Sequence, residues 1–93
     1  MSSKMHIINE IDRGQFHKKI TDYYGSNDHD VISTLIKHDL KDLYKMQALM
    51  NYVGFDDEEF FAHAAILYSE IFNKMTIKRI RLNLELRDHE LNS

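Results

Sequence analysis

The stretch TIKRIRLNLELRDHEL, residues 76–91, decides the fold because its pattern fits two kinds of secondary structure. Taken in steps of two, it places one isoleucine and three leucines between positions 80 and 86 on one side, as in a half-buried strand. Its Lys, Arg, Leu and Glu residues are strong helix formers. A strand would need a partner, and the candidate is KMHII at residues 4–8. We therefore predict a helix, with a short terminal β-ribbon as the alternative.

A helix over this stretch is apolar on two opposite sides. At 100° per residue, Leu82 and Leu86 continue the apolar face of the preceding segment. The opposite stripe consists of Ile77, Ile80, Leu84 and Leu91. Because one small bundle cannot cover both sides, we predict that this opposite stripe is a protein interface. It would be used in a homodimer or by a partner protein.

Turn and cap residues upstream predict further helices. The chain has no proline and three glycines, so each glycine is informative. A helix break is expected near Gly14. GSNDHD at residues 25–30 is typical of a loop that ends in N-cap residues, and Gly54 is typical of a helix C-terminus. Asp56 followed by Glu59 resembles a capping box at the next start.

These signals predict an all-α fold, a small bundle of three to four helices with a long C-terminal helix. No stop signal is found between Asp56 and the end of the quoted stretch, so one continuous helix is expected there. The charged fraction of 29% and the hydrophobic fraction of 43% are those of an ordinary globular protein. We therefore predict a single helical domain over residues 1–93.

The same composition bears on location. The apolar runs are far too short to cross a bilayer, so no membrane association is expected. Cysteine is absent, and the N-terminal residues MSSKMHII lack the apolar segment of a signal peptide. A cytoplasmic location is the expectation that follows.

Two charged residues interrupt apolar stripes. Asp39 lies within the apolar stripe of residues 31–53, and Arg79 intrudes on an apolar face of the C-terminal helix. In one interpretation a helix ends at His38 and Asp39 is the N-cap of a new helix from Leu40. In the other, the helix continues and Asp39 forms a buried pair with Arg79, which would fix the packing register.

The chain has a net charge of −3, but its acidic and basic residues are concentrated in two separate segments. Residues 56–70 carry five acidic side chains, whereas residues 74–87 carry five basic ones and one acid. Within the basic segment, Lys74, Lys78 and Arg81 are candidate contacts to nucleic acid. Because phosphate neutralisation dominates such binding, the acidic whole chain makes a nucleic-acid-associated regulator the second choice.

Catalytic motifs are absent from the sequence. It has no cysteine, no Gly-x-Ser-x-Gly and no glycine-rich phosphate loop. His38 with Asp42, and Glu59 with His63, place two candidate metal ligands one helical turn apart, but no metal-binding helix motif is complete. The helical pattern also places His63 on the polar side. We expect no enzyme activity, no cofactor and no metal, and a small carboxylate-histidine metal binder is the third choice.

By elimination, the sequence predicts a small non-enzymatic protein-binding regulator, adaptor or inhibitor. It would act through helical interfaces and as a homodimer. The identity of its protein partner is not encoded in any motif.

Overall fold

The computed structural model describes residues 10–92, which contain five α-helices and the turns between them. They are α1 (Glu10–Tyr24), α2 (His29–Asp39), α3 (Leu43–Val53), α4 (Asp57–Leu67) and α5 (Lys74–Asn92). No strand occurs within these residues, so the all-α prediction is confirmed. The β-ribbon alternative is wrong, because residues 79–87 are helical; its other half, residues 4–8, lies outside the described residues. The expected count of three to four helices is too low.

α1 runs through Gly14, so the helix break expected there is wrong. An added Cβ at Gly14 would meet nothing within 4 Å, and the residue is exposed. Glycine costs about 1 kcal/mol relative to alanine inside a helix, which is too little to end one that is packed elsewhere. The packing comes from Phe16 and Ile20, which are both buried.

Two aspartates begin helices. Asp56 is the cap that the sequence predicted, whereas α2 begins at His29, inside the loop at residues 25–30 that was expected to end in N-cap residues. The Asp28 side chain accepts hydrogen bonds from the backbone N–H groups of Asp30 at 2.9 Å and Val31 at 3.4 Å. The Asp56 side chain accepts one from the backbone N–H of Glu59 at 2.8 Å. Each aspartate satisfies donors that the first turn of a helix leaves unpaired.

The predicted break between α2 and α3 is confirmed, but its cap is a different residue. α2 ends at Asp39, and Asp42 accepts hydrogen bonds from the backbone N–H groups of Tyr44 at 2.9 Å and Lys45 at 3.4 Å. The N-cap is therefore Asp42, and the assignment of Asp39 to this role is wrong. α3 ends at Gly54, which has the predicted left-handed conformation at φ 75°.

The continuous helix expected after Asp56 is also wrong. α4 ends at Leu67, and the chain turns over residues 68–73 before Asn73 begins α5 by accepting a hydrogen bond from the Thr76 backbone N–H at 2.9 Å. One helix over residues 57–91 would be about 52 Å long at a rise of 1.5 Å per residue. The molecule measures 39 Å in its longest direction, so the turn is what keeps α5 against the other helices.

α3 is the central helix and packs against all four others. The buried apolar residues form one cluster, to which every helix and the turn before α5 contribute. Its members are Phe16, Ile20, Ile32, Ile36, Met46, Leu49, Met50, Val53, Phe60, Phe61, Ala64, Tyr68, Phe72 and Ile80. A single domain over residues 1–93 stays a prediction, since the cluster concerns the described residues alone.

α5 is the longest helix, with 19 residues, and its main neighbour is α3. Neither α5 nor any other helix within residues 10–92 combines the length and the apolar character that crossing a membrane requires.

Candidate protein-binding surface

The inner side of α5 contains the stripe that the sequence assigned to an interface. Ile80 is 1% exposed and belongs to the core, while Ile77 and Leu84 are partly buried against it. Leu91 lies in the last turn of α5, and its side chain is outside the described part of the structure. The expectation that the chain's own core leaves this stripe uncovered is therefore wrong for Ile80, because α3 and its neighbours cover it.

The outer side of α5 is the exposed one. Met75 is 82% exposed, Leu82 54% and Leu86 53%. With Arg79 and His89 between and beyond them, they follow the alternating spacing of four and three residues that marks a coiled-coil seam. We call Met75, Arg79, Leu82 and Leu86 the outer seam. The sequence had put Leu82 and Leu86 on the covered side, because it took α4 and α5 as one helix.

A groove runs between α4 and α5. Its apolar lining consists of Phe61, Ala62 and Ala65 from α4 with Ile77 and Leu82 from α5. The two alanines are half-buried and their side chains are short, so the α4 wall of the groove lies close to the backbone. Each wall is a helix that begins at an N-cap, Asp56 for α4 and Asn73 for α5.

The predicted basic residues lie on the α5 wall of this groove. Lys74, Lys78 and Arg81 follow one another at intervals of four and three residues and are all exposed. The guanidinium carbon of Arg81 lies 5.0 Å from the centroid of the Phe61 ring, a cation–π contact across the groove. A glutamate from each helix also lines the groove, so its edges carry both signs of charge.

Asp39 and Arg79 are not brought together. The Tyr24 hydroxyl donates a hydrogen bond to Asp39 at 2.9 Å, and the Asp39 side chain is only 14% exposed. Burial, reinforced by that hydrogen bond, raises the pKa of Tyr24 above its usual range. Arg79 is exposed and lines a second, polar groove between α2 and the start of α5. No ion pair joins Asp39 to Arg79 within residues 10–92, and Tyr24 is the partner that the sequence missed.

His63 is buried, so its predicted position on the polar side of its helix is wrong. It is 1% exposed, and its ring lies 5.3 Å from the rings of both Phe16 and Phe55. Its Nδ1 atom has no hydrogen-bond partner among the described residues, and burial lowers the pKa of the imidazole. A signal was available, because His63 follows Phe60 by three residues and precedes Ala64 on the same helical side.

A second histidine ties the start of α2 to the end of α4. The His29 Nε2 donates a hydrogen bond to the Leu67 carbonyl at 3.1 Å, and its ring stacks on Tyr68 at 5.2 Å. The carbonyl is one of those that a helix C-terminus leaves unpaired. The Tyr68 hydroxyl is buried without a partner in the described residues, and this burial raises its pKa.

The candidate metal ligands take structural roles. Asp42 is the cap of α3, and His63 is enclosed by aromatic rings, so neither pair suggested by spacing forms a shared site. Within residues 10–92, no cluster of three or more histidine and carboxylate side chains is placed to hold a metal ion.

Comparison with known proteins finds no relative of this chain. No protein-family model matches the chain, and neither the curated proteins nor the solved structures contain a match. The class that the fold defines is a small all-α protein with a groove between two helices.

Proposed function

We propose that this chain is a small, cytoplasmic, non-enzymatic protein-binding regulator, adaptor or inhibitor that acts through helical interfaces as a homodimer. The observation that carries the proposal is the groove between α4 and α5, which has apolar lining and charged edges. Grooves of this composition between helices are a recurring site for binding an amphipathic helix.

The groove favours one kind of partner. Its apolar lining suits a helix with apolar side chains at i, i+3, i+4 and i+7. The short side chains of Ala62 and Ala65 leave space into which large partner residues fit. Lys78 and Glu85 on the α5 edge select for flanking charges of both signs, which set orientation more than affinity.

A pair of matched variants tests the groove. Ala65→Arg fills it, whereas Ala48→Arg adds the same side chain at an exposed position of α3. In affinity capture from nuclease-treated lysate, we expect proteins retained by the wild type and by Ala48→Arg to be lost with Ala65→Arg. Circular dichroism confirms that both variants stay helical. Equal retention by all three proteins would contradict the proposal.

A second function, binding of nucleic acid, is favoured by one observation. Lys74, Lys78 and Arg81 line one wall of the same groove, so three cations lie along one side of α5. Phosphate contacts lose affinity steeply as salt is raised from about 50 to 200 mM, whereas an apolar interface does not. A salt titration of binding to single-stranded oligonucleotides and to the captured protein separates the two functions. Lys78→Ala with Arg81→Ala should abolish the first kind of binding and leave the second measurable.

A further inference from the structure

We infer that the outer seam of α5 pairs with the same helix of a second copy of this chain, in antiparallel orientation. The inference rests on the homodimer of the proposed function and names its surface. It uses the side of α5 opposite the core, next to the groove, and Leu82 borders both surfaces. Its first test uses Leu86, which does not line the groove, whereas the groove is probed at Ala65.

The outer seam has the spacing that helix pairing requires. Met75, Arg79, Leu82 and Leu86 follow steps of four, three and four residues, so they form one line along the helix. Its three apolar members are among the most exposed large apolar side chains of the described surface. Within residues 10–92 each of the three keeps more than half of its surface exposed, so this side of α5 is available to a second molecule.

The distribution of charge along α5 indicates that a second copy of α5 covers the outer seam. Residues 74–81 carry four basic side chains and no acid, whereas residues 82–90 carry three acids and Arg87. The Arg87 guanidinium carbon lies 3.9 Å from the centroid of the Tyr44 ring, so this cation is directed toward α3 and away from the outer seam. Arg81 is likewise directed toward the Phe61 ring of α4. The remaining charges are basic over residues 74–79 and acidic over residues 85–90.

This distribution opposes the dipole of the helix. A helix N-terminus favours acidic side chains and a C-terminus favours basic ones, yet the first turn of α5 contains no acid. The segregated charges therefore weaken an isolated α5. An antiparallel neighbour offsets this unfavourable interaction with the dipole. The basic half of each α5 then lies beside the acidic half of the other copy and near the negative end of its helix dipole.

Antiparallel pairing also aligns the seam. With Arg79 of one copy opposite Leu82 of the other, Met75 lies opposite Leu86, and the arrangement is symmetric about a two-fold axis. Lys78 then lies beside Glu85 of the second copy. Parallel pairing would set each basic side chain against its own counterpart, which costs free energy through like-charge repulsion.

The oligomeric state is the first test. In sedimentation velocity the wild type should pass from monomer to dimer at micromolar concentrations, and Leu86→Asp should weaken the dimer by at least about tenfold. Ile11→Asp, at a highly exposed apolar residue of α1, is the matched control and should dimerise normally. Ala65→Arg should also dimerise normally, so loss of captured partners with an intact dimer separates the two sites. A wild type that stays monomeric at millimolar concentration would overturn the inference.

Orientation is tested with introduced thiols, since the described chain has no cysteine of its own. Met75→Cys and Leu86→Cys are oxidised separately and as a mixture. Antiparallel pairing predicts a disulfide-linked dimer in the mixture alone, because two thiols at position 75 would be about 16 Å apart along the helices. Cross-linking of each variant alone, with none added in the mixture, would show parallel pairing and contradict the inference.

Charge reversal gives an independent check on the same geometry. Lys78→Glu and Glu85→Lys should each weaken the dimer by about threefold or more, because each places like charges together. The double variant restores opposite charges between copies and should bind within about twofold of the wild type. A double variant weaker than both single variants would overturn the antiparallel register.

Discussion

α3 and α5 are both rich in apolar residues, but the fold uses them in opposite ways. α3 has 11 residues, buries Met46, Leu49, Met50 and Val53, and contacts every other helix. α5 has 19 residues, and Ile80 is the one fully buried side chain among those described. The number of apolar residues in a helix therefore does not tell how many of them the fold covers. The number of neighbouring elements decides this.

α3 therefore holds the core together, whereas α5 keeps exposed apolar surface on one side. α5 is attached through Ile80 and the partly buried Ile77 and Leu84. The outer side of the helix is left available for other contacts. Substitutions on the two helices, and on the two sides of α5, should differ accordingly.

The largest effect is expected at the inner side of α5. Ile80→Asp places an unpaired charge in the core and should cost about 4 kcal/mol or more, which is most of the stability of a small domain. Leu82→Asp, two residues away on the outer side, should leave the monomer folded. Thermal unfolding followed by circular dichroism compares the two. A folded Ile80→Asp monomer would show that the stripe is an interface after all.

The next effect concerns α3. Leu49→Ala removes a fully buried side chain and should lower the free energy of unfolding by about 2 to 5 kcal/mol. Leu86→Ala, the same change at an exposed position of α5, should change monomer stability by less than about 0.5 kcal/mol. Urea unfolding of both variants at low protein concentration measures the difference. Equal costs would mean that α5 is as central as α3.

A smaller effect should appear with pH. Burial keeps His63 neutral in the folded protein by lowering its pKa, whereas the unfolded chain binds a proton near the ordinary value of 6.5. The negative charge of Asp12 raises this pKa, and the positive charge of Arg13 lowers it. Because the unfolded state binds more protons, stability should fall as pH drops below 6.5, by at most about 1.4 kcal/mol per pH unit.

Urea unfolding between pH 7.5 and 5 tests this dependence. His63→Leu should remove it, whereas His89→Gln, at an exposed histidine of α5, should leave it unchanged. A pH dependence that persists in His63→Leu would assign it to other groups.

The smallest effects are expected at the two caps that frame the groove. Asp56→Ala and Asn73→Ala should each cost about 1 kcal/mol, because each leaves first-turn N–H groups of α4 or α5 unpaired. Asp57→Ala, beside the first cap, is the control and should cost less. If Asp56→Ala left stability unchanged and abolished partner capture, the acidic run would be a recognition surface.

Local signals in the sequence were sufficient for some helix boundaries. Gly54 and Asp56 have the predicted roles because caps depend on a few neighbouring backbone groups. The boundary between α4 and α5 was not predicted, although Asn73 is a residue type that favours an N-cap and takes that role. Gly14 shows the opposite error, a helix-weakening residue that packing nearby overrides.

The candidate surface was less predictable, because periodicity defines faces without saying what lies against them. The sequence found two apolar sides in the C-terminal stretch and assigned the wrong one to the exterior. The error followed from the missed turn at residues 68–73, which changes the direction of α5 relative to α4. Tyr24 and His63 were missed for a related reason, since their partners lie on other helices.

The sequence by itself determined the all-α class, the cap at Asp56, the helix end at Gly54 and the presence of two apolar sides on the last helix. These properties follow from propensity, short-range hydrogen bonds and the 3.6-residue period. Only the tertiary structure decided that Ile80 faces the core, that Met75, Leu82 and Leu86 face outward, and that a groove opens between α4 and α5. Burial is a relation between distant segments, so it is fixed by how the helices pack together.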